Sequence, residues 1–216
     1  MKEITIIGAG LSGLTAAINL AREGYKVKIF ERCKDCGMRF QGDLQGIENW
    51  SLQTDTLDDL TAMNIKIDFH CQPFYHVDYY DFELNKIEVT SKNPIFYLVR
   101  RGGVEECIDI ALKRQAKDLG VEINFNKPTA EKFADIIASG PKRVNIAAKG
   151  MTFNLKTRDT AIAIFNHHIA SSGYAYLLTS NGKGTLSTVL FKDFRKLNLF
   201  FERTIGAFKK IIDLSL

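Results

Sequence analysis

The sequence predicts an α/β fold, a parallel sheet begun by an N-terminal strand-helix-strand unit and joined by a separate antiparallel layer, on three observations. Ile4-Thr5-Ile6-Ile7 is a continuous apolar, largely β-branched run closed by Gly8, the pattern of a parallel strand buried on both faces. Between Ser12 and Glu23 the apolar residues Leu14, Ala17, Ile18 and Ala21 recur at helical spacing, and Gly24 follows as a stop. Val27, Ile29 and Phe30 make a second strand that ends at the acidic Glu31.

The remaining elements follow in chain order. Arg32 to Thr54 carries several glycines and no period, and reads as a long loop held by something. Thr54 to Met63 is a short helix with acidic residues in its first turn, where the helix dipole favours them. Ile65 to Val99 is an antiparallel excursion of aromatic and β-branched stretches, with turns at Leu84-Asn85-Lys86 and Lys92-Asn93-Pro94. Gly103 to Leu119 is helical by spacing and closes at Gly120, and Val121 to Phe125 returns as a strand to the first sheet. Ala134 to Ala138 is a fourth parallel strand, and Val144 to Ala148 offers another short one. Ala161 to Ile169, Tyr174 to Thr179 and Thr185 to Phe191 form a meander with a tight turn at Asn181-Gly182-Lys183-Gly184. Asn198 to Leu214 ends the chain as an amphipathic helix.

Composition narrows the functional classes. The 216 residues are 45% hydrophobic and 25% charged, ordinary for a globular chain and wrong for disorder or a disulfide scaffold. The formal charge is +4 with cations spread along the chain, which gives a nucleic-acid partner no support. The apolar run after Met1 stops at Gly8, too early for a secretory signal, and no stretch is long enough to span a bilayer. A cytoplasmic location is therefore expected, with Cys33, Cys36, Cys71 and Cys107 reduced.

Gly8-Ala9-Gly10-Leu11-Ser12-Gly13 gives the chemistry. This G-x-G-x-x-G follows a strand, opens a helix and is succeeded by a strand ending in Glu31, the full context of a Rossmann-type dinucleotide fingerprint. Gly8 permits the tight turn, Gly10 lets a pyrophosphate approach the backbone, and Gly13 lets the helix pack on the strand. Free amides at the positive end of the helix face the phosphates. Glu31 can accept hydrogen bonds from both ribose hydroxyls and would repel a 2′-phosphate. A fingerprint this near the N-terminus, followed by an antiparallel excursion in place of a third βα repeat, favours FAD over NAD.

The stretch Ile6 to Ala17 resembles the N-terminus of FAD-dependent oxidoreductases, and the course after it is similar to the geranylgeranyl reductase group, which shares the p-hydroxybenzoate hydroxylase architecture. Tyr97-Leu98-Val99-Arg100-Arg101-Gly102 sits where that group carries a flavin-contacting arginine, and Arg101 matches because the motif ends arginine-glycine. Ala134 to Pro141 resembles the group's strand and turn near the cofactor, with Ser139-Gly140 at the turn. Gly173-Tyr174-Ala175-Tyr176-Leu177-Leu178, followed by Gly182-Lys183-Gly184, is similar in degenerate form to the pattern lining the prenyl-substrate channel. The family's glycine-aspartate motif is not found before Leu216, so the resemblance implies only the N-terminal part of a member, with a C-terminal region or separate partner to be supplied. It also implies a flavin-mediated hydride transfer to or from an apolar, isoprenoid-like substrate, with NAD(P)H as a candidate electron donor.

Other residues leave alternatives open. Cys33-Lys34-Asp35-Cys36 has C-x-x-C spacing but lacks further ligands, so no metal is assigned. Cys36-Gly37 matches a flavin-proximal pair in some reductases of the group, against a plain loop thiol. Arg39 to Gly46 suits a loop lying along a polar ligand, or a solvated surface. In the expected strand His167 and His168 would point to opposite faces, a structural role. Tyr174 and Tyr176 would share a face, lining an apolar cavity or packing in the core.

The expected organisation is an FAD-binding domain from residues 1–66 and 100–150, an antiparallel substrate-binding domain from 67–99 and 151–197 lying over the isoalloxazine, and a C-terminal helix over 198–216. Cofactor candidates are Gly8, Ala9, Gly10, Leu11, Ser12, Gly13, Glu31, Arg32, Arg39, Arg101, Ser139 and Gly140; substrate candidates are Tyr174 and Tyr176; no catalytic acid is assigned. Two other readings stand beside this one, a truncated non-catalytic dinucleotide-binding module and an NAD-binding Rossmann protein.

Overall fold

The computed structural model describes residues 2–51, 53–155 and 157–212, so the expected helix at 213 and 214 lies outside the described residues. In chain order the strands and helices are β1 (Glu3–Ile7), α1 (Leu11–Arg22), β2 (Lys26–Phe30), β3 (Gln41–Glu48), α2 (Thr56–Ala62), β4 (Cys71–Phe74), β5 (His76–Tyr80), β6 (Lys86–Thr90), β7 (Phe96–Gly102), α3 (Ile108–Asp118), β8 (Glu122–Asn124), β9 (Ile136–Ile137), β10 (Ala147–Asn154), β11 (Thr160–Ile164), β12 (Tyr174–Ser180), β13 (Lys183–Leu190) and α4 (Leu197–Ile211). Two compact units divide the chain, one of residues 1–42, 46–72 and 98–142, the other of 43–45, 73–97 and 143–216.

In the first unit the parallel sheet runs in the order β8-β2-β1-β9. Its strands are the four that the apolar runs predict, all parallel, with Ile6 opposite Ile29 and Ile7 opposite Ile137. Residues Ile6 and Ile29 are fully buried, as expected of central strands whose two faces are both covered. Helix α1 buries Gly13, Leu14, Ala17 and Ile18, and α3 buries Ile108, Ala111, Leu112 and Ala116 into the same core. Asp135 ties the short β9 to its neighbour: its carboxylate accepts the Thr5 N–H at 2.8 Å while its own N–H donates to Thr5 O. The strands therefore end together at their carboxyl edge, where ligands of open α/β sheets bind.

In the second unit six strands run in the order β10-β13-β12-β11-β5-β6. All neighbours are antiparallel except β11 and β5. Helix α4 packs on β13 and β10, and Ile162, Ile164, Leu177, Leu186, Phe201 and Phe208 form the core between helix and sheet. The β12–β13 hairpin turns through Asn181 (φ 50) and Gly182 (φ 73), the left-handed pair that a two-residue hairpin turn needs. A three-stranded sheet of order β3-β7-β4 completes the strands.

Four expectations are corrected. The segment read as a loop from Arg32 to Thr54 contains β3: Gly42, Asp43 and Gly46 are poor strand formers, but pairing with β7 and burial of Leu44 override local preference. Helix α3 starts at Ile108 rather than Gly103, because the Asp109 carboxylate in its first turn accepts the Gly102 N–H at 2.9 Å and the chain must fold back to make that bond. The strand expected at Val144 to Ala148 is instead β10, Ala147–Asn154, registered along its whole length against β13. His167 and His168 lie in a turn rather than a strand, with the Asn166 side chain accepting the His168 N–H at 2.8 Å, a local bond that competes with a ladder.

Where α4 crosses the sheet, Thr188 and Thr204 are fully buried and hydrogen-bond to each other through their hydroxyls. Thr204→Val leaves the Thr188 hydroxyl without that partner and should destabilise by about 1–3 kcal/mol. The double change to valine should cost less than the single one, read from urea midpoints; equal or greater loss in the double variant would contradict the pairing.

Candidate functional site

At the carboxyl edge of the parallel sheet lies a cleft of about 860 Å³ whose walls come entirely from the first unit. Gly8, Ala9, Gly10, Leu11 and Ser12 form its floor; Glu31, Arg32 and Cys33 follow β2, Cys36 to Phe40 follow in the loop, and Ala138 to Lys142 follow β9.

The three glycines of the loop have different reasons to be there. Gly8 has φ +101, and a Cβ on it would lie 2.4 Å from Ala138 O. On Gly13 a Cβ would fall 2.0 Å from Gly8 O, so both are fixed by internal packing. Gly10 is different: its backbone is extended at φ −78 and ψ 177, which any residue adopts, and a Cβ there meets nothing within 4 Å. Neither conformation nor packing inside the chain calls for glycine at that position. The direction in which its Cβ would point is open, which suits a ligand that must approach the backbone closely.

Gly10 caps α1 without a side-chain hydrogen bond, and the first turn holds no acidic residue. The positive helix end is thus neutralised by no side chain of its own turn. Gly13 N–H and its neighbours in the first turn have no partner inside the helix. Beside them, Glu31 is turned toward the loop: one carboxylate oxygen accepts the Ala9 N–H and the other the Cys33 N–H, each at 2.8 Å. Each oxygen keeps a second lone pair for a further donor.

Charge in the cleft is sorted by pairing. Arg101 Nε and Nη2 bind the Asp109 carboxylate at 2.9 and 3.0 Å, and the guanidinium lies 4.3 Å over the Phe40 ring. Lys142 pairs with Glu131 at 2.7 Å, and Lys113 holds both oxygens of Asp35. Arg32, Arg39 and Lys127 line the same cleft with no ion pair among the described residues. Arg39 reaches across to the loop after β9, its Nη2 lying 3.9 Å from where a Cβ on Gly140 would be. Three unpaired cations and a bare helix start are a complement for a polyanion.

The cleft collects the cofactor candidates Gly8, Ala9, Gly10, Leu11, Ser12, Glu31, Arg32, Arg39, Arg101, Ser139 and Gly140. Gly13 stands behind the floor as a packing residue. Arg100 is turned out of the cleft to pair with Glu106. Tyr174 and Tyr176 belong to the second unit, on one face of β12 with ring centroids 6.2 Å apart, and Phe165 and Tyr79 extend the same row at 6.1 and 5.7 Å spacings. Sequence reasoning missed Asp109 and Lys127, and gave Phe40 no role of its own within the Arg39 to Gly46 loop. A lone aspartate in a first helical turn reads as a dipole partner, and only the fold shows it to be 1% exposed against a guanidinium.

Cys36 also lines the cleft, but burial, with the Asp35 charge adding to it, pushes its thiol up to about 12. At neutral pH it is a protonated, packed group rather than a nucleophile. Among the described residues no cluster of three or more His, Cys, Asp or Glu is placed to hold a metal ion, and no helix is long and apolar enough to cross a membrane.

The NAD(P)-binding Rossmann-like domain family matches residues 6–45. A kynurenine 3-monooxygenase of Legionella pneumophila strain Corby is 29% identical over 203 residues, covering 83% of this chain and 43% of the relative. Among solved structures, a geranylgeranyl bacteriochlorophyll reductase-like protein from Thermoplasma acidophilum superposes with a TM-score of 0.69 at 17% identity, over 96% of this chain and 62% of that one. CtdE, solved in complex with FAD, superposes with a TM-score of 0.57 at 16% identity, over 89% of this chain and 60% of that one. The fold is thus that of Rossmann-type flavoproteins, and the chain spans less than half the length of this monooxygenase and under two thirds of these structures.

Two outcomes are expected of the glycines. Gly13→Ala should lose about 2 kcal/mol or more through the clash with Gly8 O, while Gly10→Ala should lose no more than about 1 kcal/mol, both read from urea unfolding. Alkylation of Cys36 in the folded protein should be slow at pH 8 and quicken as pH approaches about 12. Because its folded value lies above the unfolded one of about 8.5, its contribution to stability is full below that pH and erodes above it. Peptide mass mapping that found Cys36 labelled as fast as denatured protein at pH 8 would contradict its burial.

Proposed function

We propose that this chain is the FAD-binding part of a flavin-dependent oxidoreductase acting on an apolar substrate. The observation that carries the reading is Gly10, whose side of the loop faces open space while its sister glycines are explained by packing. A diphosphate seated there would meet the amides of the first turn of α1, and Arg39 and Ser139-Gly140 line the same cleft. Glu31 has lone pairs left for ribose hydroxyls, and its charge opposes a 2′-phosphate, which favours FAD or NAD over NADP in this cleft.

Bound flavin would supply the two-electron redox chemistry. The chain's own residues bind and orient. Asp109 holds Arg101 over the Phe40 ring, so its guanidinium enters the cleft with its direction fixed. Cys36 closes the cleft with a packed, protonated thiol. In the second unit the row Tyr79, Phe165, Tyr174 and Tyr176 offers an aromatic surface for an apolar substrate. Burial pushes the pKa of both Tyr174 and Tyr176 upward, so their hydroxyls stay protonated donors. Reduction with NAD(P)H as electron donor is the reaction we favour, or dehydrogenation in which bound flavin would accept the substrate's electrons, with an isoprenoid-like molecule as the substrate. A second reading, a module that holds the dinucleotide without turning over alone, draws on the chain's 43% share of the relative's length.

Protein purified as FAD-bound should be yellow and release flavin on denaturation. Added FAD should raise the melting temperature of apoprotein well beyond NAD, and NADP should raise it least. Gly10→Val and Glu31→Gln should each reduce the FAD shift by an amount equal to tenfold or greater loss of affinity, without a change in circular dichroism. An unshifted melting curve with FAD, or a full shift in Gly10→Val, would overturn the proposal; bound FAD with no turnover of NAD(P)H would favour the second reading.

A further inference from the structure

Cations occur all along the chain, but their excess over carboxylates falls in one stretch of the second unit. From Lys192 to Lys210 there are six cations, Lys192, Arg195, Lys196, Arg203, Lys209 and Lys210, and two carboxylates, Asp193 and Glu202. Outside this stretch the remaining 23 cations are matched by 23 carboxylates, so these few residues hold the whole net charge of +4. All six cations are exposed. Five of them, all but Arg203, have side chains with no hydrogen bond or ion pair among the described residues. Arg203 donates to His168 O at 3.1 Å, and the Asp193 carboxylate is engaged by the Ser171 hydroxyl at 2.7 Å.

The geometry of α4 places them outward. Phe200, Phe201, Thr204, Ala207 and Phe208 fix the face turned to the sheet. Leu199, Arg203, Gly206 and Lys210 recur at four, three and four residues on the solvent side, with Lys209 beside them. Lys192, Arg195 and Lys196 crowd the turn that leads into the helix. Two large apolar side chains, Phe191 and Leu199, each 43% exposed, stand at either end of that turn. Isolated exposed apolar residues are common, but here they are set among unpaired cations.

We propose that the turn and outer face of α4 form a docking surface for an anionic lipid bilayer. Cations without internal partners are attracted to the headgroup layer, and Phe191 and Leu199 can dip into the acyl boundary once the surface is held close. The apolar face of α4 stays in the core, so attachment is electrostatic, reversible and salt-sensitive. Leu199 amid the cations offers no stacking face, and Phe191 alone falls short of the several aromatic platforms on which successive bases stack, so the patch suits lipid better. The inference does not depend on the flavin reading, since it uses no residue of the cleft.

Sedimentation of the full chain with vesicles of about one-third phosphatidylserine in phosphatidylcholine tests it. Binding is expected at low salt, loss at high salt, and little binding to phosphatidylcholine alone. Neutralising Lys192, Arg195 and Lys196 to glutamine should weaken binding on the order of a hundredfold, whereas glutamine at Lys66, Lys92 and Lys117, which removes the same charge elsewhere, should weaken it far less. Should the first variant fold poorly by circular dichroism, Lys209→Gln with Lys210→Gln replaces it, with a loss on the order of tenfold or more. Equal binding to both vesicle types, no binding at low salt, equal losses in patch and control variants, or a duplex oligonucleotide bound more tightly than vesicles at the same salt would each overturn the proposal.

Discussion

The cleft depends on one close approach of backbone to backbone. Gly8, at the end of β1, lies so near Ala138 and Gly13 that neither glycine has room for a side chain. That approach draws the first turn of α1 and the end of β9 to the same edge of the sheet. Every other wall of the cleft is hung from it: Glu31 pins the glycine loop to the end of β2, and the loop after β9 is reached by Arg39. Close packing of this kind transmits strain rather than absorbing it, so the loop has little freedom to rearrange without the sheet.

Electrostatics in the cleft follow from which charges the protein satisfies itself. Carboxylates at Asp35, Asp109 and Glu131 each have a cationic partner, and Glu31 is bound by two backbone amides. A nearly buried charge such as Asp109 is tolerable only because a bidentate guanidinium and the Gly102 amide meet it. The cations left over, Arg32, Arg39 and Lys127, stand beside an uncapped helix start. Surface cations contribute little to folding, but several converging on one cleft shape what it can bind.

The second unit is built on a different logic. Its sheet is covered by α4 through a compact apolar core, and its two edges are unlike: β10 is paired with β13 over eight residues, while every residue of β6 is exposed. Short, charged edge strands of this kind resist pairing with other chains, and Lys86 and Glu88, bridged to each other at 2.6 Å, place charge on that edge.

By itself the sequence determined the parallel sheet, α1, a hairpin turn within Asn181 to Gly184, which the fold narrows to Asn181-Gly182, and the glycine loop with Glu31. Those features are written locally: a strand buried on both faces must be apolar throughout, a helix must repeat its apolar positions, and a left-handed turn must use residues that tolerate positive φ. Tertiary structure alone decided β3, the late start of α3, the extent of β10 and the Arg101–Asp109 pair. Each of these rests on a partner far along the chain or across a fold in it. Gly42 and Gly46 belong to a strand only because β7 offers a ladder, and Asp109 becomes part of the cleft only when α3 brings it against an arginine eight residues before it. Long-range pairing can overrule local preference because one satisfied ladder or buried ion pair outweighs the few tenths of a kcal/mol that separate residue propensities.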